Sequence, residues 1–167
     1  EKGTAGKKRK ENPHDTGQVF VIVDSLSGNT VGRLTRRFKR TEVGARILRE
    51  RRSLLDTLAS REYLHSLPAG SLGKTYIEFC DREGITADGL VSASMQATER
   101  AGLGDPDGQL VGARLRDMHD LWHIVTGYKT DLIGEASVLA FSVPQTRNPG
   151  IAFIVAVVFL RAHGELS

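Results

Sequence analysis

Two histidines spaced four apart, His119 and His123, restrict the fold of this chain more than any other feature. On a helix that spacing stacks both side chains on one face, one turn above the other, close enough to bind a single ion. Asp120 falls about 60° round the helix from His123, so the three polar side chains share an arc of about 100°. Gly127 supplies a stop, because glycine tolerates the left-handed backbone of a helix C-terminus, and Thr130 or Asp131 is a natural cap for a new helix. The stretch Arg116 to Glu135 therefore reads as a helical hairpin that brings Glu135 across from the two histidines. His119, Asp120, His123 and Glu135 become four candidate metal ligands, with the open position of such a site as the seat of catalysis.

Two histidines on an apolar helix also fit a plain reading as hydrogen-bonded core or surface residues. The two carboxylates placed beside them favour a divalent metal ion. Imidazoles with carboxylates and no thiolate suit zinc, and admit iron, manganese or cobalt. Asp120 is either a ligand or the partner that orients a ligating histidine.

The rest of the chain reads as helical, giving an all-α, single-domain helical bundle built around the metal-binding hairpin. Residues 1–14 are polar, basic and aperiodic, and read as a disordered basic tail; residues 15–167 form the helical domain. Asp15 and Gln18 open a helix carrying Val19, Ile22, Val23 and Leu26, with a strand over Val19 to Val23 as the rival reading. Val31, Leu34 and Phe38 mark a basic helix, Thr41 caps the next, and Leu54, Leu55 and Leu58 belong to a short one. A Pro-Gly turn after Leu67 leads to a helix capped by Ser71, with Leu72, Thr75, Tyr76, Phe79 and Cys80 on one face and Gly84 at its end. Thr86 opens a helix through Met95. Gly102 to Gly108 is a loop before the metal-bearing helix, whose stripe Val111, Leu115, Met118, Trp122 and Val125 is expected to be buried. Beyond Glu135, Ala136, Leu139 and Val143 point inward as far as Pro144, and a turn over Arg147 to Gly150 precedes the last helix.

The 167 residues suffice for one core, and the single cysteine, Cys80, excludes an internal disulfide and suits core packing in a reducing compartment. Net charge is only +3, but Lys7 to Lys10, Arg36 to Arg40 and Arg49 to Arg52 concentrate basic residues in the front third. Such runs suit a solvated helix face or an anionic membrane surface. They lack the aromatic platforms of a nucleic-acid binder, and no nucleic-acid partner is expected. The apolar run Ile151 to Leu160 has ten residues, where a bilayer span takes about 20. It reads as a buried helix or a membrane-dipping face.

The H-D-x-x-H followed after eleven residues by E, together with the stretches L-P-A-G-S-L-G-K-T-Y at Leu67 to Tyr76 and Q-V-F-V-I-V-D-S-L-S-G near the start, resembles the ubiquinone-biosynthesis family called coenzyme Q protein four. The resemblance runs from about Gln18 to about Phe159 and leaves the basic tail outside it. It implies an all-helical peripheral membrane protein that binds a divalent metal through the residues at His119, Asp120, His123 and Glu135. It also implies metal-dependent (oxidative) decarboxylation at ring carbon one of a polyprenylated hydroxybenzoate, and assembly of other ubiquinone biosynthesis proteins. The implied partners are that polyprenylated aromatic quinone precursor, the membrane surface and the other pathway proteins, with homo-oligomerisation allowed. The implied location is the cytoplasmic face of a bacterial membrane or the matrix side of the inner mitochondrial membrane. Trp122, Leu139, Phe141 and the last helix are candidates to line a trough for the polyprenyl tail, or are ordinary core.

Two other readings compete. In a non-catalytic lipid-binding scaffold, the metal would only brace the hairpin, with all four side chains closing the site. A metallopeptidase is disfavoured, because Asp120 stands where the zincin motif has a longer glutamate that must reach the metal-bound water.

Overall fold

Side-chain caps set where the helices begin. The computed structural model describes residues 27–86, 89, 92 and 105–164. Within these, α1 is Thr30–Lys39, α2 Glu42–Glu50, α3 Leu54–Ala59, α4 Arg61–Ser66 and α5 Leu72–Glu83. After them come α6 Pro106–Asp117, α7 His119–Thr126, α8 Leu132–Thr146 and α9 Pro149–Gly164, and no strand occurs among the described residues. The Thr41 hydroxyl accepts from the Gly44 N–H, the Ser71 hydroxyl from Lys74 N–H, and the Asp131 carboxylate from Gly134 N–H. Each satisfies a backbone donor that the first helical turn leaves orphaned, an effect of about 1 kcal/mol. The all-α reading holds. The basic tail, the Asp15 to Leu26 helix and most of the Thr86 to Met95 helix lie outside the described residues.

The main core forms where α5 meets α3, α4 and α7. Tyr76, Ile77, Phe79 and Cys80 of α5 pack with Leu58 and Leu64, and Leu121 and Ile124 of α7 close over them. Cys80 is a buried free thiol. Leu72, expected on this face, is 48% exposed, and Ile77 takes its place inside. Capped by Ser71, Leu72 is the first residue of α5, where the chain is still entering the core.

The segment expected as one metal-bearing helix is two. Asp105 caps α6 and Pro106 occupies its first turn, so the helix starts before Gly108 rather than after it. Met118 then interrupts the run and α7 begins at His119. The interruption breaks the predicted stripe: Val111 is buried, Leu115, Met118 and Trp122 are half-buried, and Val125 is 63% exposed. A second departure concerns Pro144, which lies inside α8 instead of ending it; the helix runs on to Thr146 and closes at Arg147 in the left-handed conformation.

Basic residues in the front third are partly used as ties. Asp107 of α6 receives Lys39 Nζ at 2.8 Å and an Arg51 guanidinium nitrogen at 2.7 Å. Arg37 donates to the Gln145 carbonyl of α8 at 2.9 Å and Arg114 to that of Arg52 at 3.1 Å. These bonds join α1, α2, α6 and α8. Helix α9 packs along α8, yet it is nowhere fully buried between Ile151 and Arg161, and Phe153, Phe159 and Leu160 are exposed. The last helix is therefore not the buried one of the first alternative. No helix of the described residues is long and apolar enough to cross a membrane.

Candidate metal centre

The hairpin made by α7, the turn 127–131 and α8 is fixed by two glycines. Gly127 ends α7 with φ +74°, where a side chain would be strained. Gly134 lies in the first turn of α8 directly beneath the Lys129 backbone, and a Cβ there would fall 1.8 Å from the Lys129 carbonyl oxygen. The turn can close over α8 only because position 134 has no side chain. Glu135 follows immediately and is thereby aimed back at α7.

His119, His123 and Glu135 converge, each with a ligand atom within 4.8 Å of the others. Glu135 Oε2 lies 3.4 Å from His119 Nε2, and its Oε1 lies 3.3 Å from His123 Nε2. The two imidazole rings stand edge to face with centroids 4.9 Å apart. Asp120 is not part of this group of three. Its Oδ1 lies 3.4 Å from Nδ1 of His119, on the far side of that ring.

The other nitrogen of each histidine decides what the Nε2 atoms can do. His123 Nδ1 is 3.0 Å from the Tyr128 carbonyl oxygen, which can only accept, so Nδ1 carries the proton and Nε2 presents its lone pair. Asp120 does the same for His119. His123 is 3% exposed, its ring stacks on Phe79 at 6.2 Å, and its Nε2 is fully enclosed with no hydrogen-bond partner among the described residues. The Glu135 oxygen near it meets the distance of an ion pair but not the geometry of a hydrogen bond. A buried lone pair left unsatisfied costs free energy, whereas a cation placed between the three groups satisfies it. The donor set fits a divalent metal.

Electrostatics agree. The hydrogen bond that His119 donates to Asp120 holds the imidazole above its ordinary pKa, with burial opposing it and Glu135 adding to it. Positive charge is thus favoured between Asp120 and Glu135. Below the site, the Asp117 side chain is only 7% exposed, and burial raises its pKa against the pull of Arg116, with Asp120 pushing the same way as burial. Burial likewise raises the Tyr76 hydroxyl well above its usual range. Neither Asp117 nor Tyr76 stood out as a site residue in the sequence. The placement of Asp117 one turn before Asp120 and Leu121 was the available signal, but a helical position alone does not reveal burial.

Beside the cluster opens a cleft of about 490 Å3, whose lining includes Phe79, Arg82, His123, Tyr128 and Lys129. On the opposite side Trp122 meets the edge of His119 at 6.5 Å and of Phe141 at 6.3 Å, which puts two of the proposed trough residues in contact.

The sequence profile of the family described as coenzyme Q (ubiquinone) biosynthesis protein Coq4 matches residues 5–165. This chain belongs to the Coq4 family. The match extends further than the Gln18 to Phe159 span of the resemblance, and takes in the basic stretch Lys7 to Lys10. Among curated Coq4 relatives, the mitochondrial ubiquinone biosynthesis protein of Talaromyces stipitatus is 35% identical over 124 residues, covering 73% of this chain and 41% of that protein. Its counterpart in Paracoccidioides lutzii is 36% identical over 131 residues, covering 78% of this chain and 39% of the relative. That of Talaromyces marneffei is 32% identical over 140 residues, covering 84% and 42%. The chain thus spans about two fifths of the length of the curated relatives it matches. No solved structure matches it.

Proposed function

We propose that this Coq4-family chain carries out metal-dependent oxidative decarboxylation of a polyprenylated hydroxybenzoate in ubiquinone biosynthesis, at a membrane surface. The observation that carries the reading is the enclosed, unpartnered Nε2 of His123 facing Glu135 and His119. An ion held by these three side chains would keep an open position, the pattern of catalytic rather than structural sites. Zinc is the first choice, with iron, manganese or cobalt admitted by the same donors. When bound, such an ion polarises a carboxylate or phenolate oxygen.

The residues around it have separate tasks. His119, His123 and Glu135 would hold the ion. Asp120 and the Tyr128 carbonyl fix the histidine tautomers, and Phe79 excludes water from the His123 ring. In the reaction the bond from ring carbon one to the carboxyl carbon breaks and carbon dioxide leaves, that ring carbon gains a hydroxyl group whose oxygen comes from water, and the two electrons and two protons released reduce molecular oxygen to hydrogen peroxide. The half-exposed apolar helix α9 supports work at a membrane surface, where a polyprenyl chain is dissolved. The mitochondrial names of the relatives support a mitochondrial setting, and within it the reading places the chain on the matrix side of the inner membrane.

The same exposed apolar surface also suits a non-catalytic scaffold that holds the lipid for other ubiquinone biosynthesis proteins. Elemental analysis of the purified chain, with mass spectrometry of a synthetic prenyl-hydroxybenzoate incubated with it in air, separates the two. Stoichiometric metal with loss of the carboxyl group is the expected result. Metal and retained lipid without turnover would leave the scaffold.

A further inference from the structure

We infer that Glu83, outside the ligand set, is a positioning residue of the metal centre: through Thr130 it holds the turn whose Tyr128 carbonyl fixes the His123 ring. Its effect on metal binding rests on the function proposed above, whereas the contacts stand without it.

Glu83 is the last residue of α5, and Gly84, in the left-handed conformation at φ +71°, closes the helix directly after it. A carboxylate there meets the negative end of the helix dipole, where a cation is favoured. Local helix chemistry therefore gives no reason for an acid at this position. Its contacts do. Glu83 Oε2 accepts from the Thr130 hydroxyl at 3.3 Å, and Oε1 accepts from Arg82 Nε at 3.4 Å. The first bond ties α5 to the turn 127–131. The second sets a cation beside the carboxylate, against the unfavourable dipole.

The turn needs such a tie. Residues 127–131 are all exposed, and the cleft of about 490 Å3 is lined by Phe79, Arg82 and Glu83 from α5 and by Tyr128 and Thr130 from the turn. Where the two segments face each other across open space, polar contact has to hold them in register. On its other flank the turn is set by Gly134, which admits the Lys129 backbone. That approach fixes the turn to α8, and the Thr130 hydroxyl fixes it to α5.

Helix α5 thereby holds His123 at two points. Phe79 stacks on its ring at 6.2 Å with 15° between the planes, and the Arg82 guanidinium stands over the Phe79 ring at 5.6 Å. The Tyr128 carbonyl, two residues before Thr130, accepts from Nδ1–H at 3.0 Å and leaves Nε2 as the lone-pair nitrogen. Stacking sets the plane of the ring, yet a half-turn about the bond to the ring keeps that plane and swaps each nitrogen for a carbon. The carbonyl selects one of the two, and the turn decides where the carbonyl is.

The metal-free chain gives a readout that needs no ion. The 15N shifts of the His123 ring report which nitrogen carries the proton, and Nδ1 is expected to carry it in the parent. Glu83→Ala and Thr130→Val are expected to move part of the population to Nε2–H at an almost unchanged melting temperature, because both residues are exposed. Zinc affinity, measured by competition with a chelator, is expected to fall about fivefold in each, the worth of one hydrogen bond. In the double variant the loss is expected to stay near about fivefold, since both substitutions break the same bond. Thr130→Ser keeps the donor and is expected to bind as the parent does. Glu78→Ala removes an equal charge from the wall of the same cleft and is expected to change nothing. Parent-like 15N shifts in both variants, losses that add, failure of Thr130→Ser, or an equal loss in Glu78→Ala would each overturn the proposal. The expected 15N changes in a chain whose parent binds no zinc would uphold the tie to His123 and sink the metal reading instead.

Discussion

Nε2 of His123 lies 3.3 Å from Oε1 of Glu135, although the two residues sit on different helices and one is buried while the other is 40% exposed in its side chain. The contact exists because the turn between α7 and α8 closes tightly. A ligand pair of this kind is expected to fail as a unit: His119→Ala, His123→Ala or Glu135→Ala should each remove most bound metal. His65→Ala should retain it, because His65 faces Asp81 on α5 at 3.3 Å. Asp120→Asn should keep the metal but weaken its affinity by about 10- to 100-fold, as loss of an orienting partner does. Elemental analysis and competition with a chelator read both effects, and equal metal content in all the variants would exclude the site.

Gly134→Ala tests how the hairpin aims Glu135. The added methyl would collide with the Lys129 carbonyl, and backbone cannot move aside as a flexible side chain does. A cost of about 1–3 kcal/mol is expected, as for other overpacking substitutions. Metal affinity should fall with it, because the first turn of α8 carries Glu135. Ala136→Gly, two residues on, removes a methyl without any collision and should lower stability while leaving metal affinity nearly unchanged. Thermal melts with and without metal compare the two.

Much of this was legible in the sequence, and what was missed has a common cause. Capping is local chemistry, so the caps at Thr41 and Ser71 and the stops at Gly84 and Gly127 are legible from a few residues each, and of the two candidates Thr130 and Asp131 the structure selects Asp131. The exposure of Leu72 and Val125, the break at Met118 and the continuation of α8 through Pro144 depend on what lies opposite, which a single strand of sequence does not contain. The metal cluster shows both sides of this. Helical spacing gave the histidine pair, but the orienting role of the Tyr128 carbonyl has no side-chain signature at all.

The bridge at Asp107 gives a pH dependence of definite sign. Lys39, and then Arg51, hold the Asp107 carboxylate below its ordinary 3.8. A depressed folded-state value means that its stabilisation is present above pH 3.8 and disappears as pH falls through the lower folded value. For Lys39 the bond to Asp107 raises the amine above 10.5, so its share is present below that pH and is lost as pH rises through the higher folded value. Asp107→Asn should therefore lower the melting temperature between these limits and leave it unchanged in strong acid. Lys39 and Arg51 are solvent-exposed and Asp107 is only half-buried, so added salt should shrink the difference.

The tip of the hairpin makes the membrane reading testable without touching the metal ligands. Val125, Tyr128, Leu132 and Ile133 gather at the end of α7 and the start of α8, and Leu132 and Ile133 are 69% and 60% exposed. Exposed aliphatic side chains contribute little to folding, so the double variant Leu132→Ser, Ile133→Ser should melt within about 0.5 kcal/mol of the parent. In a bilayer interface the same two side chains would bury apolar surface worth about 1.5–3 kcal/mol each if fully covered. Sedimentation with phosphatidylglycerol vesicles should accordingly fall by about tenfold or more in the variant. Unchanged sedimentation would move the membrane contact to the exposed face of α9, where Phe153, Phe159 and Leu160 offer the next apolar surface. Phe159→Ser with Leu160→Ser would then have to carry the loss.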